Sequence, residues 1–219
     1  KIAKVCREFA VKKVIFLSTA KVYGDYRGTG ESIDIRERPK PLSLYSESKL
    51  MAEEKLISNC RGSELTYTII RPPMIYGAGV KGNFLKMIKI ARSGMIIPSK
   101  SLNHKRSYLG LENLCDFISV CLDSPLSDNQ IFLLSDNEDL SLNQIFTDLK
   151  DVLASSAILV PIPVNLFKMV GFIFNKKPVV ERILGEFRLD ISETMEKMNW
   201  SPSVSFKDEL KHMVERLQR

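Results

Sequence analysis

Two side chains that can transfer protons lie four residues apart in the segment YSESK, namely Tyr45 and Lys49. Residues four apart share one face of a helix, so the phenol and the ammonium group can project into the same cleft. A nearby cation stabilises phenolate and lowers the pKa of a tyrosine from about 10 toward neutral pH. Tyr45 is therefore a candidate general acid/base, although this spacing alone also arises by chance in many helices.

The elements around this pair alternate between helix and apolar strand. We predict a helix to about residue 10, then the strand Val14–Ser18, a polar loop through Pro41, the helix Tyr45–Asn59 and the strand Leu65–Ile70. Such alternation is typical of a parallel sheet with helices on both faces. Thr19 then lies at the carboxyl end of a parallel strand, where open α/β sheets bind their ligands.

The strand ending LSTAKVYG, followed by YSESK, resembles the extended short-chain dehydrogenase/reductase family, whose motifs are similar to SSxxVYG and YxxSK. The resemblance implies that Thr19 is the catalytic hydroxyl, Tyr45 the acid/base and Lys49 its partner and a ligand of the cofactor ribose. RPPMIYG looks like the family's RPxxxYGPG segment beside the nicotinamide, which implies cofactor contacts by Pro72 and Pro73. The implied cofactor is NAD or NADP.

Three further residues are implied to bind the substrate. KGNF looks like the family's substrate loop and places Asn83 on the diphosphate. KRSYLGLENLCD is similar to R-x-x-V-x-V-x-D, which assigns the phosphates to Arg106, with Asn113 where the aspartate usually stands. The alternative for Arg106 is a surface ion pair. Arg182 precedes an ending similar to D-x-S-K-x-x-x-x-L-G-W-x-P and is expected near the nucleotide phosphates.

The predicted fold class is α/β, a partial Rossmann-like parallel sheet with helices on both faces and a smaller C-terminal substrate-binding domain. We assign residues 1–78 and 106–126 to the first part and residues 79–105 and 127–219 to the second. Further elements are predicted at Asn83–Arg92, Gly110–Leu122, Gln130–Leu134 (a strand), Leu142–Leu153, Ser192–Met198 and Phe206–Leu217. No glycine-rich dinucleotide motif occurs in the 219 residues, so we expect it upstream and expect this segment alone not to bind NAD(P) tightly.

The resemblance implies hydride transfer at a sugar carbon of a UDP-sugar or another nucleotide-sugar, by an epimerase or a 4-keto-reductase. The expected context is surface polysaccharide synthesis. A 4,6-dehydratase is disfavoured, because its Asp-Glu pair after the catalytic threonine is replaced by Ala20 and Lys21. A non-catalytic NAD(P)-binding relative is the other alternative. The presence of Thr19, Tyr45 and Lys49 together argues against it.

Composition excludes several other classes of function. The net charge is +6, but its lysines and arginines are scattered among acids without an aromatic stripe, so no nucleic acid partner is expected. Four cysteines without CxxC spacing and only two histidines give no metal site and favour reduced thiols in the cytoplasm. The apolar stretch from Ala157 to Phe174 is broken by Pro161, Pro163 and Lys168, which favours a buried or interfacial helix over a membrane span. The composition neither predicts nor excludes a homodimer.

Overall fold

The computed structural model describes residues 5, 6, 8–28, 30–173, 175 and 177–217. The helices are α1 (Leu44–Cys60), α2 (Gly82–Arg92), α3 (Leu111–Asp123), α4 (Leu142–Val152), α5 (Val164–Ile173), α6 (Lys177–Leu184), α7 (Ser192–Met198) and α8 (Phe206–Leu217), with 3₁₀ turns at Ala20–Tyr23 and Pro125–Ser127. The strands are β1 (Lys13–Leu17), β2 (Ser32–Ile33), β3 (Thr66–Arg71), β4 (Met74–Tyr76), β5 (Ile96–Ile97), β6 (Lys105–Gly110), β7 (Gln130–Leu133), β8 (Asp139–Ser141), β9 (Ile158–Leu159) and β10 (Arg188–Leu189).

The sheet that carries the candidate chemistry has the strand order β1-β3-β7, and both pairings are parallel. Its two faces are covered separately. Ile69 is fully buried in a cluster with Leu56 and Cys60 of α1, whereas its neighbour Ile70 is fully buried against Phe117 of α3. Successive side chains of a strand point to opposite faces, so this alternation places α1 on one face and α3 on the other.

A second sheet has the order β4-β6-β8 and a core of its own. Tyr76 lies at the centre of an aromatic cluster, with ring centroids 5.1 Å from Phe84 and 4.7 Å from Phe206. These side chains come from β4, α2 and α8, so the cluster joins distant parts of the chain. The division into two domains stays a prediction, but β7, placed in the second part, pairs with β3 in the first sheet.

The helices predicted from Tyr45 onward are confirmed within one residue at each end, and so are the three predicted strands. The first predicted helix lies partly outside the described residues. The α/β fold with helices on both faces of a parallel sheet is confirmed. Strands of two or three residues were not predicted, because they are too short to show an alternating pattern.

The apolar stretch after residue 157 contains α5, which lies on the surface with one face exposed. Among the described residues, no helix is long and apolar enough to cross a membrane.

Candidate active site

The helix that carries Tyr45 and Lys49 begins in a fixed position. Ser43 is the N-cap of α1, and its hydroxyl accepts a hydrogen bond of 3.2 Å from the amide of Ser46. The Ser46 hydroxyl in turn accepts one of 3.1 Å from the amide of Ser43, which completes a reciprocal cap. Tyr45 lies in this first helical turn, and its side chain remains 54% exposed. The phenol is therefore accessible to a ligand.

Lys49 lies one turn further along α1 and reaches the carboxyl end of β1. Its Nζ atom donates a hydrogen bond of 2.9 Å to the carbonyl of Leu17 and lies 5.0 Å from the centre of the Phe16 ring. A cation above an aromatic face is a favourable contact. The ammonium group is thereby held at Leu17, which precedes Thr19 by two residues in the chain.

Thr19 is buried and caps the 3₁₀ turn that leaves β1. Its hydroxyl oxygen accepts a hydrogen bond of 3.3 Å from the amide of Lys21. The residues on either side bind the end of β3, because the amide of Ser18 donates to Ile70 O and that of Ala20 to Pro72 O, each at 2.8 Å. The structure thus brings Thr19 and the Lys49 ammonium to one end of β1. Convergence of Thr19, Tyr45 and Lys49 on a single substrate oxygen stays a prediction.

A buried ion pair lies directly behind this end of the sheet, and it was not predicted from the sequence. Arg71, the last residue of β3, donates from Nη2 to Glu53 Oε2 at 2.5 Å and from Nε to both carboxylate oxygens at 3.1 and 3.2 Å. Arg71 also donates to the Tyr23 hydroxyl, and the Ser18 hydroxyl donates to Glu53. The network therefore ties α1 to the carboxyl ends of β1 and β3.

Burial and the charges of this network together shift the pKa values of Arg71 and Tyr23. Burial alone lowers the pKa of Arg71, but the hydrogen bonds and charge of Glu53 outweigh it, so the pKa of Arg71 is raised. Burial raises the pKa of Tyr23, against the opposing effect of Arg71. Tyr23 therefore stays a neutral phenol and Arg71 stays a cation. Glu53 lies four residues after Lys49 on the same helical face, but nothing in that spacing indicates Arg71 as its partner.

Arg106 lies half-buried on β6 and points toward the loop that follows Thr19. Its Nη1 donates to the carbonyl of Gly185 and its Nη2 to that of Asp25, both at 3.1 Å. Its guanidinium carbon lies 5.5 Å from the centre of the Phe187 ring. Arg106 thus connects the second sheet to the loop from the first, and a role on the substrate phosphates stays a prediction.

The other predicted site residues occupy separate positions. Pro72 is buried, with its carbonyl on Ala20, and Pro73 beside it is half-buried. Asn83 is exposed in the first turn of α2. The side chain of Arg182 lies outside the described residues. No contact in the described part of the chain joins Asn83 to Arg106, so their shared role on a diphosphate is untested.

Asn113, the departure from the family's aspartate, fills a position that requires both a donor and an acceptor. Its Nδ2 donates to Asp136 Oδ1 at 2.7 Å and to Val204 O at 2.8 Å, while its Oδ1 accepts from the amides of Ser203 and Val204 at 3.1 Å each. Burial raises the pKa of Asp136, although the hydrogen bond from Asn113 acts in the opposite direction. An aspartate at 113 would place a second carboxylate against Asp136.

A family model matches the first part of the chain. The NAD dependent epimerase/dehydratase family matches residues 1–134, which include Thr19, Tyr45, Lys49 and Arg106. The chain belongs to the NAD dependent epimerase/dehydratase family. The predicted resemblance to an epimerase/dehydratase is thereby confirmed.

Two curated relatives of this epimerase/dehydratase family chain are 4-epimerases. It is 33% identical over 215 residues to UDP-glucose 4-epimerase of Vibrio cholerae, covering 98% of the chain and 66% of that protein. It is 28% identical over 180 residues to N-acetyl-alpha-D-glucosaminyl-diphospho-ditrans,octacis-undecaprenol 4-epimerase of Escherichia coli O157:H7, covering 80% and 52%. The chain therefore spans about two thirds of the first relative and half of the second.

Solved structures show the same fold. UDP-glucose 4-epimerase of Thermotoga maritima, solved with UDP-glucose, has a TM-score of 0.76 at 22% identity over 99% of this chain and 67% of its own. UDP-glucuronic acid 4-epimerase of Bacillus cereus, solved with NAD, has a TM-score of 0.76 at 18% identity over 99% and 65%. Within the described part of this family member, no group of three or more histidine, cysteine or acidic side chains could hold a metal ion.

Proposed function

We propose that the protein containing this chain is an NAD-dependent 4-epimerase of a sugar carried on a diphosphate. One observation carries the proposal: the Lys49 ammonium is fixed at the carboxyl end of β1, on the carbonyl two residues before Thr19, and the exposed phenol of Tyr45 lies one helical turn before Lys49. Both curated relatives are named as 4-epimerases of such sugars, which supports the position on the sugar ring.

The side chains at this site suit a nicotinamide cofactor with a sugar beside it. Tyr45 offers an accessible phenol, Lys49 a donor for ribose hydroxyls and Thr19 a hydroxyl for the sugar oxygen, while Pro72 and Pro73 give an apolar wall next to them. The bound cofactor supplies hydride acceptance and return. The family description names NAD as the cofactor, so the proposed cofactor is NAD rather than NADP.

The chain's own part in the reaction is proton transfer and orientation. Tyr45 removes the proton from the C4 hydroxyl as the sugar is oxidised and returns it after hydride has been delivered to the opposite face. Thr19 holds the C4 oxygen, and the Lys49 charge stabilises the phenolate of Tyr45. When the keto sugar is supplied ready-made, the same residues give a 4-keto-reductase, which is the remaining alternative.

The rest of the proposal concerns the substrate and its setting. Arg106, Asn83 and Arg182 are assigned to the diphosphate and nucleotide, in a substrate-binding part made mainly of residues 79–105 and 127–219. Ala20 is fully buried and Lys21 pairs with Asp25 at 3.0 Å, so these two positions offer no acid for dehydration. All four cysteines are free thiols, which supports a cytoplasmic location. A homodimer stays a prediction.

The test compares two substrate carriers in the protein that includes the predicted upstream glycine-rich segment. UDP-glucose or UDP-N-acetylglucosamine is incubated in one arm and a polyprenyl-diphospho-N-acetylglucosamine in the other, and the configuration at C4 is read by NMR. Inversion in either arm that is lost in Tyr45→Phe supports the proposal and identifies the carrier. Absence of C4 inversion in both arms, with NAD bound, refutes it.

A further inference from the structure

Helix α5 exposes a row of large apolar side chains that the candidate active site does not use. Phe172 is 78% exposed, Ile173 64% and Met169 52%, and Leu166 is exposed as well. Single exposed apolar residues are common on soluble proteins, but a contiguous patch marks an interaction surface.

The row forms one face of the helix. At 100° per residue, Leu166, Met169, Phe172 and Ile173 fall within an arc of about 120°, the width of an amphipathic face, which also contains the exposed Asn165. Lys168 is exposed at one edge of this arc. Val164 and Phe167 are partly buried and belong to the opposite side, which packs on the protein. The helix therefore turns an apolar face outward rather than inward.

An open cavity of about 850 Å³ adjoins this face. Met169 and Phe172 line it from α5, Val180 and Leu184 from α6, and Tyr26 from the loop after Thr19. Its apolar residues continue the exposed face of α5, and Arg27, Lys168 and Glu181 line the cavity as well, so the patch extends beyond one helix and includes charges of both signs.

The charge around the face indicates what covers it. Between Asp151 and Glu181 the sequence contains no acidic residue, whereas it contains three lysines, Lys168, Lys176 and Lys177. Of the three, Lys168 is described at the edge of the α5 face, and Lys176 and Lys177 follow the helix closely in sequence. An apolar helix face with lysines close to it is a combination that lies in the interface of a membrane with anionic headgroups. We propose that the α5 face docks this protein on an anionic phospholipid surface, without spanning it.

The experiment is vesicle co-sedimentation of the chain, which does not depend on the proposed activity. Vesicles of phosphatidylcholine alone are compared with an equal mixture of phosphatidylcholine and phosphatidylglycerol. We expect binding to the anionic vesicles that weakens at high salt, because headgroup attraction is screened. Replacing both tip residues, F172S with I173S, should weaken binding about tenfold or more, since each loses burial in hydrocarbon.

The control variant is Leu122→Ser, which removes an exposed leucine of α3 on another surface. It should bind vesicles like the wild type, and Lys168→Glu should weaken only the anionic binding. Failure of the wild type to bind anionic vesicles, or equal binding by F172S/I173S and wild type, overturns the proposal. A wild-type dimer that F172S/I173S converts to a monomer in analytical ultracentrifugation also overturns it, because the face would then seat a second copy.

Discussion

Removing the Glu53 charge should destabilise the fold strongly, because Glu53 is 1% exposed and is the carboxylate that neutralises buried Arg71. Glu53→Gln keeps the side-chain shape and one acceptor oxygen, but it leaves the guanidinium as an uncompensated buried charge. Breaking one partner of such a pair costs about 3–5 kcal/mol. A domain of ordinary stability has about 5–15 kcal/mol in total, so the loss is a large part of it. Urea unfolding followed by circular dichroism measures it.

The neighbouring Glu54 provides a matched control, because it is an exposed glutamate on the same helix. Glu54→Gln should change the free energy of unfolding by no more than about 0.5 kcal/mol. A double variant, Glu53→Leu with Arg71→Met, should recover much of the loss, since no unpaired charge remains. If Glu53→Gln unfolds at the same urea concentration as Glu54→Gln, the ion pair does not hold α1 to the sheet and the reasoning is refuted.

Three further predictions follow from individual positions. In a protein that includes the predicted upstream segment, Tyr45→Phe should reduce kcat about a hundredfold or more while substrate affinity measured by calorimetry persists, as loss of a general acid/base implies. Arg106→Ala should weaken UDP binding more than about tenfold in calorimetry. The control variant Arg36→Ala, which removes an exposed ion pair, should leave UDP binding unchanged. Equal UDP affinity in both variants would contradict the assignment of Arg106 to the phosphates. Asn113→Asp should lower the free energy of unfolding at neutral pH by about 2–4 kcal/mol, because it places a second carboxylate against Asp136. The stability should return as pH falls, since a carboxyl with a raised pKa is tolerated there once it is protonated. A loss independent of pH would point to the missing amide donor alone.

The sequence predicted the first sheet and its helices closely, and length is one physical reason, although the six-residue β6 was not predicted. Leu44–Cys60 and Thr66–Arg71 are long enough for apolar periodicity and end signals to mark them. The two-residue pairs β2 with β10 and β5 with β9 are formed by contacts distant in sequence, which no local pattern encodes.

The candidate site shows the same contrast. Thr19, Tyr45 and Lys49 were predicted because their types and spacing match the motifs of the family that the sequence resembles. The Glu53 and Arg71 pair was missed, because an acid and a base 18 residues apart give no sign of contact until the fold brings them together. The environment of Arg106 was also hidden, since its partners include the backbone carbonyls of Gly185 and Asp25, which any residue types would offer.

One face of α1 carries both the proposed proton-transfer residue and the carboxylate of the buried ion pair. Tyr45, Lys49 and Glu53 follow each other at four-residue intervals, and burial increases along them from the exposed phenol to the buried carboxylate. Proton transfer requires access for a substrate, whereas an anchor gains strength from exclusion of water. The two functions can share a helix only because they lie at different depths. Substitution at Tyr45 should therefore change turnover without changing stability, and substitution at Glu53 should change stability first.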